Sequence, residues 1–282
     1  MTEEIVNTHE KGTVAPSSAS GGDQSQFQRT ALLLGESGIN RLHDACVLIA
    51  GMGAVGSYVV EALARAGVGR FRLVDFDVVQ PSNINRQLFA TWRTLGAYKV
   101  DVARERIADI NPLAQVETRR TLINDGSVES LFEEDWAKDP DMIVDAIDSL
   151  SSKVALIATA KRRGLSLICS MGAALRTDAN LIRYGVMTDA TFCPLARQAR
   201  KRLRRVGVDP ATVPCVYSPE PVRRAVREGR EIFLRAPIPE PTPEGKAPQG
   251  RPRNTLGSLP TITGLFGLRI AHETIMTLSQ ER

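Results

Sequence analysis

At 282 residues, with 43% of them apolar, the chain is long enough for one large domain or one domain with an appended subdomain, and general disorder is excluded. No apolar run approaches the roughly 20 residues that a membrane helix needs, so we expect no membrane partner. The net charge of +4 hides an asymmetry: residues 197–253 hold 14 Lys and Arg against 6 Asp and Glu, whereas the remainder is mildly acidic.

The N-terminal 26 residues are polar, and we interpret them as a disordered tail without a role in the chemistry. They lack the basic-then-apolar pattern of an export signal, which favours a cytoplasmic protein with free thiols. Four scattered cysteines follow, none of them in a C-x-x-C pair: Cys46, Cys169, Cys193 and Cys215. A structural zinc site usually contains such pairs, so we expect no zinc.

From residue 46 onward, short apolar runs alternate with segments of helical spacing. The predicted strands are Cys46–Ala50, Phe71–Val74, Val116–Thr118, Met142–Ile147 and Leu165–Cys169. The predicted helices are Ser57–Ala66, Tyr98–Asp109, Asp125–Glu133 and Ser151–Arg163, the last capped by Ser151 or Ser152. This repetition of βαβ units predicts an α/β, Rossmann-like, doubly wound and mostly parallel sheet within residues 27–172.

The pattern changes after residue 172, where we expect an irregular, basic C-terminal part (173–282) packed on the same domain. It is predicted to contain an antiparallel strand, a basic helix, a short strand, a Pro- and Gly-rich loop and a closing helix: Leu181–Val186, Leu195–Val206, Val213–Tyr217, Pro237–Pro252 and Thr263–Leu278.

A glycine motif links the first predicted strand to the first predicted helix, with Gly51, Gly53 and Gly56 in G-x-G-x-x-G spacing. In this context the glycines allow a tight turn and close approach of a phosphate to the helix N-terminus. Asp75, at the end of the second strand, is placed to accept ribose hydroxyls. These features predict nucleotide binding but do not distinguish NAD from ATP.

The residues after Asp75 favour a triphosphate. This segment offers many hydrogen-bond donors that a redox cofactor does not need, from Asn83, Arg86 and Gln87. Lys99 follows at the start of the next predicted helix. Asp148 follows a strand at the sheet edge where ligands bind, and Mg²⁺ bound to phosphates takes one or two carboxylates. Singly, Arg86 and Lys99 would more often be surface charges, and Asp148 would more often be a helix cap. Together these residues indicate an ATP site.

These motifs together resemble the ubiquitin-activating-enzyme-like adenylyltransferase superfamily. The resemblance rests on Gly51–Gly56, Asp75-Phe76-Asp77, Ser82-Asn83 with Arg86-Gln87, Lys99, Asn111-Pro112 and Asp145–Asp148. It implies an ATP-dependent adenylating enzyme in which Asp75 holds the ribose and Asp148 holds magnesium. Three residues would hold the phosphates, namely Asn83, Arg86 and Lys99. Asp77 and Gln87 are further candidates, and Arg29 matches an arginine that the family's dimers insert into the neighbouring subunit, so a homodimer is implied.

The second half resembles one branch of that superfamily, which cyclises threonylcarbamoyladenosine in tRNA. The similar segments are Met171-Gly172-Ala173, Pro194–Arg197, Val216–Glu220 and the ending Gly257-Ser258 through Gly264, Gly267 and Ala271. Ala174, Cys193 and Pro219 depart from the branch's pattern, and Arg176-Thr177-Asp178 is shifted relative to it. The resemblance implies adenylylation of the threonyl carboxylate, ring closure, and release of AMP and pyrophosphate. The residues that would then bind tRNA phosphates are Arg197, Arg200, Lys201, Arg202, Arg204 and Arg205; a solvated helix face is the plainer explanation of this cluster.

Three alternatives remain open at this point. The first is an adenylyltransferase that activates the C-terminus of a ubiquitin-like or sulfur-carrier protein, with Cys193 or Cys215 near the site. The second is an NAD-dependent oxidoreductase, and the third is a nucleotide-sensing module that binds ATP and RNA without turnover.

Overall fold

A seven-stranded sheet forms the centre of the computed structural model, which describes residues 25–132, 139–222 and 254–281 and the short pieces 226–227, 230–231 and 234–235. Its strands are β1 (Cys46–Ala50), β2 (Arg70–Val74), β3 (Gln115–Arg119), β4 (Met142–Asp145), β5 (Leu167–Ser170), β6 (Arg183–Val186) and β7 (Pro214–Tyr217). The order is β3-β2-β1-β4-β5-β7-β6, and all neighbours are parallel except β6 and β7. The predicted α/β, doubly wound, mostly parallel sheet is confirmed.

Six α-helices flank the sheet within the described residues: α1 (Gln28–Asp44), α2 (Gly56–Ala66), α3 (Lys99–Ile110), α4 (Leu150–Arg162), α5 (Pro194–Arg205) and α6 (Pro260–Ser279). Short 3-10 helices span Ser25–Phe27, Pro81–Asn83, Glu129–Phe132, Ala179–Leu181 and Pro210–Thr212. Four two-residue strands form two separate ladders, β8 (Val226–Arg227) with β9 (Arg230–Glu231) and β10 (Leu234–Arg235) with β11 (Asn254–Thr255). Across those same parts of the chain, no helix combines the length and apolar character needed to cross a bilayer.

Two apolar cores lie on opposite faces of the sheet. Helices α2, α3 and α6 cover one face, with Leu63 and Phe266 fully buried there. Helices α4 and α5 cover the other, where Leu156 and Leu203 are fully buried. Because β1 is buried along its whole length, the continuous apolar run that predicted it reflects packing on both faces.

Two local predictions were wrong. The predicted helix Asp125–Glu133 is not an α-helix over its described part, residues 125–132; instead the Asn124 side chain accepts hydrogen bonds from the backbone N–H groups of Gly126 and Ser127, which closes a turn before a short 3-10 helix. Helix α4 has Ser149 as its N-cap, without a side-chain capping bond, so neither Ser151 nor Ser152 caps it. Asparagine's ability to bond its own backbone outcompetes the helix in the first case.

Two predicted segments lie outside the described residues, and one observed helix had no prediction. The predicted tail lies outside the described residues up to position 24, and so does the predicted loop Pro237–Pro252. Helix α1 was not predicted at all; it is interrupted at Gly35, whose φ of 77° is left-handed, and packs on α6 through bonds from Arg41 to the Ser279 carbonyl.

Candidate active site

The glycine loop between β1 and α2 has no room for side chains at two positions. Gly51 has a φ of 95°, and a Cβ there would lie 2.8 Å from the Ala146 carbonyl oxygen. A Cβ on Gly56 would lie 1.8 Å from the Gly51 carbonyl oxygen. At Gly53, by contrast, the atom nearest to an added Cβ would be the Gln87 side-chain nitrogen at 3.9 Å. The loop is therefore tight at its two ends and open above Gly53, where the motif expects a phosphate.

Asp75 ties the glycine loop to the end of β2. Its carboxylate accepts hydrogen bonds from the backbone N–H groups of Met52, at 2.6 Å, and Asp77, at 2.8 Å. Burial raises the pKa of Asp75, while the charge of Lys99 and the two backbone donors oppose that rise. An ionised carboxylate has about four acceptor positions, so capacity remains for a ribose hydroxyl.

Lys99 begins α3, as predicted, and its ammonium is buried. The Nζ atom lies 2.9 Å from a carboxylate oxygen of Asp77, a side chain that is about half exposed. Burial opposes the charge, but Asp75 and Asp77 outweigh it and raise the pKa of Lys99. The ammonium therefore stays protonated at neutral pH, as a phosphate ligand must.

Arg86 is held in the turn that follows the 3-10 helix Pro81–Asn83. Its Nη1 donates to the Ser82 carbonyl and to the Asn85 side chain, both at 2.8 Å. Burial lowers the pKa of Arg86, and the charge of Asp148 counteracts this effect. With Nη1 fixed by the protein, the rest of the guanidinium is oriented in advance of any ligand.

Asn83 and Gln87 are both buried beside Arg86. The Asn83 side-chain oxygen accepts from the Gln80 N–H at 3.2 Å, so its amide nitrogen is the group that would face a phosphate. The buried Gln87 side-chain oxygen has no hydrogen-bond partner in the described residues, and its amide nitrogen borders the open space above Gly53. An unmet polar atom at this place is what a bound polar ligand would satisfy.

Asp148 completes the cluster from the loop after β4. Its exposed carboxylate is close enough for its charge to favour the protonated forms of both Lys99 and Arg86, although burial still leaves the pKa of Arg86 lowered. Two cations from separate segments thus lie within electrostatic range of one carboxylate that follows β4 at the carboxyl edge of the sheet. The sequence predicted each residue, and the structure brings the three together.

A buried ion pair beneath this cluster was not singled out from the sequence. Lys153 Nζ lies 2.6 Å from a carboxylate oxygen of Asp145, and both side chains are fully buried. The other Asp145 oxygen accepts from the Ile147 N–H at 3.0 Å. Strand β4 ends at Asp145, two residues earlier than predicted, and the bond from Ile147 ties the start of the following turn to the ion pair. The only signal in the sequence was a lysine directly before the apolar run Val154–Ala158 of that helix.

Arg29 stands apart from the cluster, exposed on α1. Two large apolar side chains lie on the same helix, with Leu32 82% and Leu33 83% exposed. The single chain places no other predicted nucleotide-site residue next to Arg29 in a described hydrogen bond or ion pair.

The predicted tRNA-binding residues of α5 fall into two groups. Arg200 donates to the carbonyls of Met187 and Ala190, and Arg202 donates to the Ser151 hydroxyl of α4. The remaining four are exposed: Arg197, Lys201, Arg204 and Arg205. Their spacing of four, three and one residues places them on one side of the helix, opposite the buried Ala196, Ala199 and Leu203.

All four cysteines are free and buried. Burial raises the pKa of Cys46, Cys169 and Cys215, the last to about 12. Cys193 caps α5 through its sulfur, which accepts from the Ala196 N–H at 3.4 Å. Because a nucleophilic cysteine needs exposure and an accessible thiolate, no thiol is set up for covalent catalysis. Across the parts of the chain that the structure covers, no three His, Cys, Asp or Glu side chains form a metal-binding group.

Comparisons of the sequence and the fold with known proteins point to one family. A tRNA threonylcarbamoyladenosine dehydratase from Bacillus subtilis is 39% identical over 183 residues, which cover 65% of this chain and 70% of that protein. The Escherichia coli tRNA N6-threonylcarbamoyladenosine dehydratase in complex with AMP has a TM-score of 0.76 at 28% identity, covering 90% of this chain and 94% of that one. The complex of the same enzyme with ATP has a TM-score of 0.75 at 29% identity, covering 90% of this chain and 93% of that one. The ThiF family model matches residues 27–282, and the chain belongs to the ThiF family.

Proposed function

We propose that this chain is an ATP-dependent tRNA threonylcarbamoyladenosine dehydratase. The observation that carries the proposal is the convergence of Arg86, Lys99 and Asp148 beside a glycine loop that is open above Gly53. Two fixed cations and a carboxylate suit the phosphates of ATP better than a nicotinamide cofactor. The names of the curated relatives, and the AMP and ATP complexes of the solved ones, support the same substrate pair.

The proposed reaction has two steps. A carboxylate oxygen of the threonyl group attacks the α-phosphorus of ATP, forming an acyl-adenylate and breaking the bond to pyrophosphate. An atom of the neighbouring carbamoyl group then attacks the acyl carbon, AMP leaves with the carboxylate oxygen, and one proton is lost. Because the second step is intramolecular, with effective molarities of about 10⁵ M or more, positioning supplies much of its rate.

Each residue of the site then has a defined task. Lys99 and Arg86 bind the phosphates and balance the charge that gathers on the leaving pyrophosphate. Asp75 accepts the ribose hydroxyls, and the N–H groups of the glycine loop contact the phosphate nearest the sugar. The exposed carboxylate of Asp148 fits the oxygen ligands that Mg²⁺ takes alongside phosphates, and the ion would add positive charge there.

The exposed face of α5 would bind the tRNA backbone. We assign phosphate contacts to Arg197, Lys201, Arg204 and Arg205, and assign Arg200 to holding the neighbouring loop through its two carbonyl bonds. An enzyme that modifies tRNA would act in the cytoplasm. The four free thiols are in keeping with the reducing conditions there.

Charge reversal on this face tests the tRNA assignment. We expect Arg197→Glu with Arg204→Glu to weaken tRNA binding at least about 10-fold at 0.1 M salt and to lower the slope of log affinity against log salt by about 2. Titrations of labelled tRNA over a salt series measure both quantities. Arg65→Glu with Arg269→Glu, on the opposite face of the sheet, is the matched control. If both pairs weaken binding equally, the α5 face is not the tRNA site.

We also assign a homodimer in which Arg29 enters the partner subunit's ATP site. The exposed Leu32 and Leu33 beside it supply the apolar surface that a stable contact needs. Sedimentation of the protein at micromolar concentration checks the oligomeric state.

The function itself is tested by mass analysis of nucleosides in tRNA from cells that lack the protein, with a workup that preserves the ring. We expect the cyclic nucleoside to disappear and open threonylcarbamoyladenosine to accumulate. Retention of the cyclic form would reject the proposal. Pyrophosphate exchange stimulated by a protein ending in Gly-Gly would instead favour activation of a ubiquitin-like or sulfur-relay protein.

A further inference from the structure

A buried arginine outside the nucleotide cluster has donors that the described chain leaves unused. Arg176, in the segment after β5, is 2% exposed, and its Nη2 donates to the Phe192 carbonyl at 2.9 Å. Its Nε and Nη1 atoms are closed off from solvent and have no hydrogen-bond partner among the residues that the structure covers. Since an unmet buried donor on a charged group is costly, such a guanidinium indicates an acceptor supplied by a ligand.

A neighbouring carboxylate, that of Glu220, does not fill this role. Glu220 lies close enough to Arg176 for the two charges to interact, and although burial opposes its ionisation, hydrogen bonds and Arg176 lower the pKa of Glu220. Its carboxylate oxygens accept from the backbone N–H groups of Thr177 and Asp178 and from the Thr177 hydroxyl. Glu220 thus balances part of the charge while its acceptor positions are used by the loop.

The backbone around Arg176 is also unusual. In the described residues, Leu175 and Phe192 are the two non-glycine residues with positive φ, at 59° and 50°. One directly precedes Arg176 and the other supplies its carbonyl partner. Such conformations concentrate at ligand sites. The Phe192 side chain is 64% exposed, so the segment whose carbonyl holds Arg176 lies at the protein surface.

The position of Arg176 connects it with the phosphate side of the site. Strand β5 pairs with β4, which leads to Asp148, and neighbouring strands lie about 4.8 Å apart. The N–H of Leu175 donates to the Gly257 carbonyl at 2.9 Å, and the Asn85 side chain donates to the Ser258 carbonyl at 3.3 Å. The same Asn85 accepts from Arg86, so a short chain of contacts joins the two arginines.

We infer that Arg176 binds the carboxylate of the substrate's threonyl group and thereby selects the modified adenosine. This assignment rests on the proposed function. A tRNA backbone phosphate is flanked by two sugars and cannot follow into a buried site, whereas the threonylcarbamoyl group projects from the base and ends in a compact carboxylate. Arginine is well suited to such a group because its donors match carboxylate geometry.

Binding of two tRNAs in the absence of ATP tests the assignment. The tRNAs are identical except that one carries threonylcarbamoyladenosine and the other unmodified adenosine. We expect the wild-type protein to prefer the modified tRNA by about 10- to 100-fold, as for hydrogen bonds to a charged group. We expect Arg176→Gln to abolish this preference while its affinity for unmodified tRNA stays unchanged. The matched control, Arg204→Gln, should weaken both tRNAs equally and keep the preference.

The remaining outcomes are separable. An Arg176→Gln protein that keeps the wild-type preference, or one that loses both tRNAs equally, overturns the assignment. If that variant is misfolded and fails to bind ATP, Arg176→Lys replaces it, because lysine keeps the charge with fewer donors. An equal loss of affinity for both tRNAs in the lysine variant also overturns the assignment. A wild-type protein that does not cyclise the modified tRNA refutes the proposed function, whereas a preserved preference in Arg176→Gln refutes only this inference.

Discussion

Replacing Arg86 with alanine is expected to lower the rate of AMP formation from ATP by about 100- to 1,000-fold, because fixed donors aimed at developing charge contribute that much in other enzymes. The Nη1 atom is already held by Ser82 and Asn85, so the guanidinium needs no reordering when the phosphates arrive. Single-turnover measurement of AMP with modified tRNA is the appropriate assay.

The Arg86→Ala substitution should slow the chemical step without weakening tRNA binding. We expect Arg86→Ala to bind tRNA within about twofold of the wild type, because the α5 face that binds the backbone is a separate element. Arg93→Ala, an exposed arginine in the same connection between β2 and α3, is the control and should keep nearly full activity. Equal losses in the two variants would mean that the positive charge of the segment matters and not the geometry of Arg86.

Replacing Lys153 with methionine is expected to destabilise the protein by about 3–5 kcal/mol, because it leaves the fully buried Asp145 carboxylate without its partner. Adding Asp145→Leu should recover much of that loss, since two apolar side chains need no compensating charge. Urea unfolding of the wild type and these two variants measures the free energies.

The pH dependence provides an independent check on this pair. Burial raises the pKa of Asp145, and Lys153 opposes that rise. Without the lysine, the pKa of Asp145 in the folded state rises further above its value in the unfolded state. The Lys153→Met protein should therefore be least destabilised below a pH of about 4, and its destabilisation should grow as the pH increases. Lys161→Met, on the same helix, should cost less than about 1 kcal/mol at every pH. A cost for Lys153→Met no larger than that would show that the buried pair does not hold the turn.

The order of elements and the nucleotide loop could be read from the sequence because they depend on local signals. A continuous apolar run predicts β1 since both of its faces are covered, and the glycine spacing after it has a steric cause that any fold must respect. Lys99 could be placed at the start of α3 because the helical spacing of the apolar residues after it is also a local signal. The helix predicted over Asp125–Glu133 shows the limit of local signals, because the Asn124 side chain closes a turn at the start of that segment instead.

Long-range placement was decided by tertiary structure alone. Spacing along the chain gave no means of seeing that Asp145 and Lys153 would pair in the core, or that Arg176 would be buried with unused donors. The arginines of α5 look alike in sequence, yet two of them are bound to neighbouring segments and the others face solvent. Periodicity reports which face of an element is apolar, but the partner of a buried charge comes from a distant part of the chain, and only packing determines which one it meets.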